Sequence, residues 1–242
     1  MLSNERVGCL VNILAFDTTL GACSAAVARR GNGDCQVFGA FELRNREHAE
    51  VLMPMIGGVL DEAALAYGDI DAIAVTIGPG SFTGVRVGVA AARGFALALN
   101  VPLIALTSLE LMARQVLDQL DEAPETLAVS IDARRSEVYI ALFDGVGDAL
   151  SGPAALSPSQ AVNNLPSSGR VMAVGSGAGL LAGTALSRGL EIEATLGDLQ
   201  PDARMLAKIA LEREPASGPV SPLYLRPPDA KPQSGKAIAR RD

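Results

Sequence analysis

The chain has 242 residues, 49% of them apolar, with a formal net charge of −7 and a mean hydropathy of +0.28. That acidity argues against tight, autonomous binding to a polyphosphate, and 4% aromatic content without tryptophan supplies few base-stacking platforms. Roughly 70–75% of the unfolded surface can be buried at this length, enough for one large or two small lobes. The three cysteines, Cys9, Cys23 and Cys35, lack C-x-x-C spacing, which speaks against a disulfide framework or zinc site and for a reduced, cytoplasmic protein.

In chain order, residues 1–12 read as an N-terminal extension without a signal-peptide cleavage pattern. Ile13–Asp17, Ser24–Ala28 and Val37–Leu43 read as a strand meander around a turn at Thr18–Gly21. A helix is predicted from Arg46 to Tyr67, though Pro54 and Gly57-Gly58 should bend or weaken it. Its apolar residues, from Val51 through Leu52, Met55 and Val59 to Ala64, spread over about 220° of the helical wheel, twice an ordinary buried stripe. One part can face a sheet and another a partner.

Ile73, Val75 and Ile77 form a buried-strand pattern that ends at Gly78-Pro79. A glycine-dense turn follows, and from Gly84 to Leu99 a helix whose Gly84, Gly88 and Ala91 leave a smooth face. Glycines before a helix suggest an anion site, but Gly78, Gly80 and Gly84 fit neither Walker A nor G-x-G-x-x-G, so taken alone the turn reads as structural. Both neighbouring helices are broadly apolar, which suits either half of an intermolecular four-helix bundle or burial within the fold.

A strand at Pro102–Leu106 precedes a helix capped by Ser108 and running to Leu120. Leu127–Phe143 then repeats the pattern of strand, Asp, turn and strand, superimposing Asp132 on Asp17 and Tyr139 on Ser24. A strand at Val171–Val174, the GSGAG turn at Gly175–Gly179 and a helix at Pro201–Glu212 follow. Two comparable halves predict an internally duplicated α/β fold, each lobe a mixed sheet flanked by helices. Its N-terminal lobe spans 13–107 and its C-terminal lobe 108–226. Leu223–Leu225 reads as a last anchored segment, and 227–242 as a flexible tail made basic by Lys231, Lys236, Arg240 and Arg241. No run reaches the roughly 18 apolar residues of a membrane span.

Five segments, ILAFDTT at Ile13–Thr19, HAEVLMPMI at His48–Ile56, the run Ala72–Leu99, DARRSEVY at Asp132–Tyr139 and PLYLRPPDAK at Pro222–Lys231, resemble in order the TsaB (YeaZ) family of bacterial tRNA threonylcarbamoyladenosine biosynthesis. The resemblance implies a duplicated actin-like, ribonuclease H-like fold of the actin/hexokinase/Hsp70 superfamily. It implies a non-catalytic scaffold that pairs with the transferase TsaD and the ATPase TsaE, self-associates without TsaD, and meets tRNA only through the complex. The expected partner interface is Val51, Leu52, Met55, Val59, Gly84, Gly88, Ala91 and Phe95.

The resemblance also fixes what is missing. TsaD carries N-H-L-E-G-H, whose two histidines bind metal; here the matching run is Thr107 to Met112, with Ser108 and Met112 at the ligand positions, so no metal and no cofactor is expected. In nucleotide-binding superfamily members, turns from both lobes wrap the phosphates; Asp17, Thr18, Gly78, Gly80, Ser81, Gly175 and Gly177 are the candidate vestige of that site. The second turn, Ala133 to Ser136, lacks glycine, and Arg134 and Arg135 crowd it. His48, the sole histidine, lies beside Glu47 and Glu50 and reads as a helix-start or interface residue. The alternative reading is an ATP-binding phosphotransferase or ATPase of the same superfamily; no protease constellation is evident.

Overall fold

The structure, a computed structural model, describes residues 10–31, 33–44 and 47–226. Cys9, Arg46 and the basic tail from residue 227 lie outside the described residues.

The first lobe is a five-stranded sheet of β1 (Val11–Asp17), β2 (Ala22–Gly31), β3 (Asp34–Leu43), β4 (Ala72–Thr76) and β5 (Leu103–Leu106), in the order β3-β2-β1-β4-β5. The second contains β6 (Thr126–Asp132), β7 (Val138–Phe143), β8 (Ala149–Leu156), β9 (Val171–Val174) and β10 (Glu193–Thr195), in the order β8-β7-β6-β9-β10. In each, the first strand runs antiparallel to the second and parallel to the fourth. The duplication expected from the two Asp-containing hairpins is therefore present. One register detail changes: Asp17 pairs with Ser24 but Asp132 pairs with Val138, so the second turn is one residue shorter and Val138, not Tyr139, matches Ser24.

Helices α1 (His48–Glu62) and α2 (Phe82–Leu99) cover one face of the first sheet, where Leu14, Phe16, Leu52, Ile56, Ile73 and Val85 share a core. Helix α1 runs through Pro54 and Gly57-Gly58 without a break but ends at Glu62, short of the predicted Tyr67, where a 3₁₀ turn, Tyr67–Asp69, begins. Helix α2 is the one described helix long and apolar enough to cross a membrane, with a mean hydropathy of 1.3, because its glycines and alanines raise the average around Arg86 and Arg93. Here it packs on β4 through Val85, Val89 and Ala92.

Helix α3 (Ser108–Leu117) lies on one face of the second sheet, and α4 (Pro158–Asn163) with α5 (Ala178–Leu186) on the other. Its N-cap is Thr107, not Ser108: the Thr107 hydroxyl accepts from Glu110 N at 3.0 Å, while Ser108 is wholly buried. Helix α6 (Ala203–Ala210), expected in the C-terminal lobe, instead packs on the first sheet. Ala203, Leu206, Ala207 and Ala210 follow helical spacing and meet Ile13, Ala15, Ala26 and Ala28 across a surface of small side chains. The chain has thus crossed back, and Ala216 N and Leu223 N donate to Leu103 O and Ile77 O of the first lobe. The lobe boundaries shift accordingly: β1 takes up Val11 and Asn12 from the expected extension, and the residues after β10 do not belong to the second sheet.

Candidate functional site

The turn between β1 and β2 and the 78–84 loop form a closed knot. Thr18 and Thr19 are buried, and a Cβ added at Gly80 would lie 2.2 Å from Thr19 O, one at Gly84 only 2.0 Å from Thr18 O. The Thr18 hydroxyl donates to Gly84 O at 2.7 Å, and Ser81 N to Thr19 O at 2.7 Å. Glycine is required at 80 and 84 because the two backbones touch, not because a phosphate approaches. Gly78, at φ +98, turns the chain before a cis bond to Pro79. The Ser81 amide, bonded to Thr19 O, is already taken.

Asp17 lies beneath this knot with no exposed surface. Its Oδ1 accepts from Thr19 N at 3.1 Å, and its Oδ2 from the hydroxyls of Thr19, at 2.7 Å, and Thr76. Burial pushes its carboxyl up to about 6, against the lowering effect of those hydrogen bonds.

The second half is closed differently. Cβ atoms at Gly175, φ +89, and Gly177 would meet Ser130 O at 2.4 Å and Ser130 Oγ at 2.3 Å, so both glycines pack on β6. Arg134, Arg135 and Ser136 are consecutive non-glycine residues at φ 62, 55 and 60, an arrangement that costs about 1–2 kcal/mol per residue. Arg226 holds it, donating to Ala133 O at 2.7 Å and Arg134 O at 3.0 Å and pairing with Glu137. Of the vestigial set, the structure gathers Asp17, Thr18, Gly78, Gly80 and Ser81 around the first knot and puts Gly175 and Gly177 against the other lobe's strand. Internal packing accounts for the glycines among them.

Ser108 and Met112 are also interior. Ser108 N donates to Gly78 O at 2.9 Å and its hydroxyl to Pro79 O, and Met112 packs among Val129, Ile131 and Val174. Among the described residues no three His, Cys, Asp or Glu side chains come together as metal ligands. His48 is buried with its Nε2 unpartnered. Cys23 is buried, and its thiol is pushed up to about 12 by desolvation and the neighbouring Asp17 charge.

The expected interface set divides. Leu52 and Val59 are core residues; Gly84 and Gly88 are buried against Thr18, with a Cβ at Gly88 only 2.7 Å from its hydroxyl. These four face their own fold, which corrects the reading of the small-residue stripe as a partner face. Val51, Met55, Ala91 and Phe95 are half-buried at the margin of the same core. A second feature was not singled out in the sequence: Tyr224 and Arg226, in a segment read only as an anchor, tie to Arg86 of α2 and to the turn before β7. An aromatic two residues before an arginine in an aromatic-poor chain was the available signal.

The fold and the site define a two-lobed, internally duplicated α/β protein whose glycine turns are closed by its own packing. Comparison narrows this. Residues 42–176 match the family TsaD, tRNA N6-adenosine threonylcarbamoyltransferase. An uncharacterized Mycobacterium tuberculosis protein is 35% identical over 226 residues, 91% of this chain and 94% of that one. Escherichia coli tRNA threonylcarbamoyladenosine biosynthesis protein TsaB is 40% identical over 133 residues, 55% of each chain. YeaZ from Pseudomonas aeruginosa superposes with a TM-score of 0.71 at 30% identity, covering 89% of this chain and all of that one. A P. aeruginosa protein described as similar to peptidase YeaZ gives 0.75 at the same identity and coverage. The chain belongs to the TsaB/YeaZ family.

Proposed function

We propose that this chain is a non-catalytic, cytoplasmic subunit of tRNA threonylcarbamoyladenosine biosynthesis that pairs with a TsaD homologue, alongside a TsaE ATPase, and holds the transferase active. The observation that carries this reading is the closed first knot, where Gly80 and Gly84 meet Thr19 and Thr18 backbone at distances that leave no phosphate between them. The interior places of Ser108 and Met112 add to it, since neither a hydroxyl bonded to a carbonyl nor a core thioether replaces two imidazoles. Among the described residues the sole histidine, His48, has no Nε2 hydrogen-bond partner, which speaks against a protease-type nucleophile–base pair there.

The partner face in this reading is the margin of α1 and α2 left half-exposed: Val51, Met55, Ala91 and Phe95. Without TsaD the same face joins two copies of the chain, and tRNA is met only in the complex. The test is reconstitution with TsaD and TsaE from the same organism. A stable complex, and threonylcarbamoyl transfer to tRNA that requires this chain, are expected. Robust ATP hydrolysis by the isolated chain, or transfer at full rate without it, would overturn the reading in favour of an actin-like ATPase.

A further inference from the structure

Strand β3 closes one edge of the first sheet, and among the described residues no strand lies beyond it. It is ten residues long and pairs with β2 at every one of them without a bulge. Long regular edges are ordinarily blunted by lysine, proline or a bulge, and Asp34–Leu43 contains none of the three. One bond shows which groups face outward. Arg44 N donates to Gly21 O at 2.8 Å, one step beyond the Leu43–Ala22 pair. Because bonded and non-bonded pairs alternate along an antiparallel ladder, Cys35, Val37, Gly39, Phe41 and Leu43 turn their N–H and C=O groups away from β2.

These outward positions are centred on Gly39, so the edge is its own match. Laid antiparallel on β3 of a second copy with Gly39 opposite Gly39, each of them finds a bonding partner: Cys35 faces Leu43, and Val37 faces Phe41. Phe41 and Leu43 are 38% and 70% exposed, and this pairing covers both. The closer, non-bonded pairs agree, with Asp34 opposite Arg44, a pair of unlike charges, and Phe38 opposite Ala40. Sliding by one pair in one direction sets Asp34 against Glu42 and leaves Leu43 past the end of the facing strand; sliding the other way strands Cys35 and Asp34. Arg204 lies over Gly39, but its charge is paired with Asp202, so the axis does not set bare charge against bare charge.

We propose that a second copy of this chain docks on the free edge of β3, joining the two first sheets into one continuous antiparallel sheet with Gly39 at the two-fold axis. Main-chain bonds hold such a contact and the side-chain pairs fix its register. The same surface serves both copies, so the assembly closes at two across this edge. It uses none of Val51, Met55, Ala91 and Phe95, and does not rest on the partner face of α1 and α2.

The test uses the full chain carrying Val51→Glu, so that association through α1 does not contribute. Concentration-dependent dimers are expected in light scattering. Leu43→Cys in that background should give a disulfide-linked dimer on mild oxidation, with mass spectrometry locating the bond between Cys35 and position 43. Along one strand these positions are roughly 27 Å apart, so the link must join two copies. Adding Cys35→Ser should abolish it. Phe41→Pro removes an outward N–H while leaving the bonds to β2, and should weaken the dimer at least about tenfold. Phe41→Lys, at an exposed site, sets a cation against Val37 of the other copy and should do the same if the proline variant unfolds in thermal melts. A chain that stays monomeric, a link from position 43 to any residue other than Cys35, or a folded Phe41 variant that dimerises as tightly as its parent would overturn the proposal.

Discussion

Asp17 offers a direct measure of whether the first knot is packing or a remnant metal site. Its carboxyl is pushed from 3.8 up to about 6 by complete burial, so the folded state holds the proton more tightly than the unfolded chain. Below about pH 3.8 both states are protonated and this group contributes no penalty; as pH rises toward 6 the unfolded chain ionises freely while the folded one does not. Its contribution to stability therefore falls with rising pH and is fully lost above about pH 6. The span of roughly two pH units corresponds to about 3 kcal/mol, of which about 1.4 kcal/mol falls between pH 5 and pH 7.5. Asp17→Asn removes the titration while keeping the shape, because the Thr19 and Thr76 hydroxyls can accept from an amide where they now donate to Oδ2. Urea unfolding of parent and variant at pH 5 and 7.5 is the assay. Relative to the parent, the variant should gain about 1.4 kcal/mol between the two values, about 3–6 °C in Tm for a chain of this size. A pH-independent difference would refute the reasoning. A variant that loses ground as pH rises would mean that the ionised carboxylate is favoured, as a bound cation would require.

The close approach at Gly84 predicts that Gly84→Ala costs on the order of 2–3 kcal/mol in thermal or urea melts, because Thr18 O is rigid backbone. Gly94→Ala in the same helix, where a Cβ meets nothing, should instead stabilise by roughly 0.5–1 kcal/mol; equal effects at the two positions would refute the packing argument. Val51→Glu or Met55→Glu should leave the melt nearly unchanged yet weaken association with TsaD or a second copy by about 2 kcal/mol, roughly thirtyfold, in light scattering after size exclusion. Unchanged assembly in both variants would remove α1 from the interface. Elemental analysis of chelator-free protein should find no near-stoichiometric transition metal, given Ser108 and Met112 in the interior; a metal whose removal abolishes function would overturn that assignment.

Much of the fold was legible because its signals are local. Apolar runs bounded by turn residues marked β1, β4 and β6, and the recurrence of Asp at the end of a strand before a return strand exposed the duplication without any contact being known. A further local signal was available and unused: Ser157-Pro158 with Gln160 is a capping box with proline at the first helical position, and it opens α4. Strands β8 and β10 were less accessible, since an edge strand such as β8, with Gly152 and Pro153 and little burial, carries no strong alternation.

By itself the sequence determined that Gly80 lies in a glycine-dense turn, that Gly84 and Gly88 leave a smooth helical face, and that α1 carried more apolar surface than one sheet face requires. Only the tertiary structure decided what came close to each. The backbone of Thr18 and Thr19, some 60 residues upstream, fills the space above Gly84 and Gly80, while Leu52 and Val59 turn inward and Val51 and Met55 stay at the margin. Likewise the sequence marked a helix at Pro201–Glu212, but its return to the first sheet depended on a matching surface of Ala15, Ala26 and Ala28 against Ala203, Leu206, Ala207 and Ala210. The reason is physical: residue size and periodicity are properties of the local chain, whereas the neighbour that occupies the space is set by contacts between segments far apart in sequence.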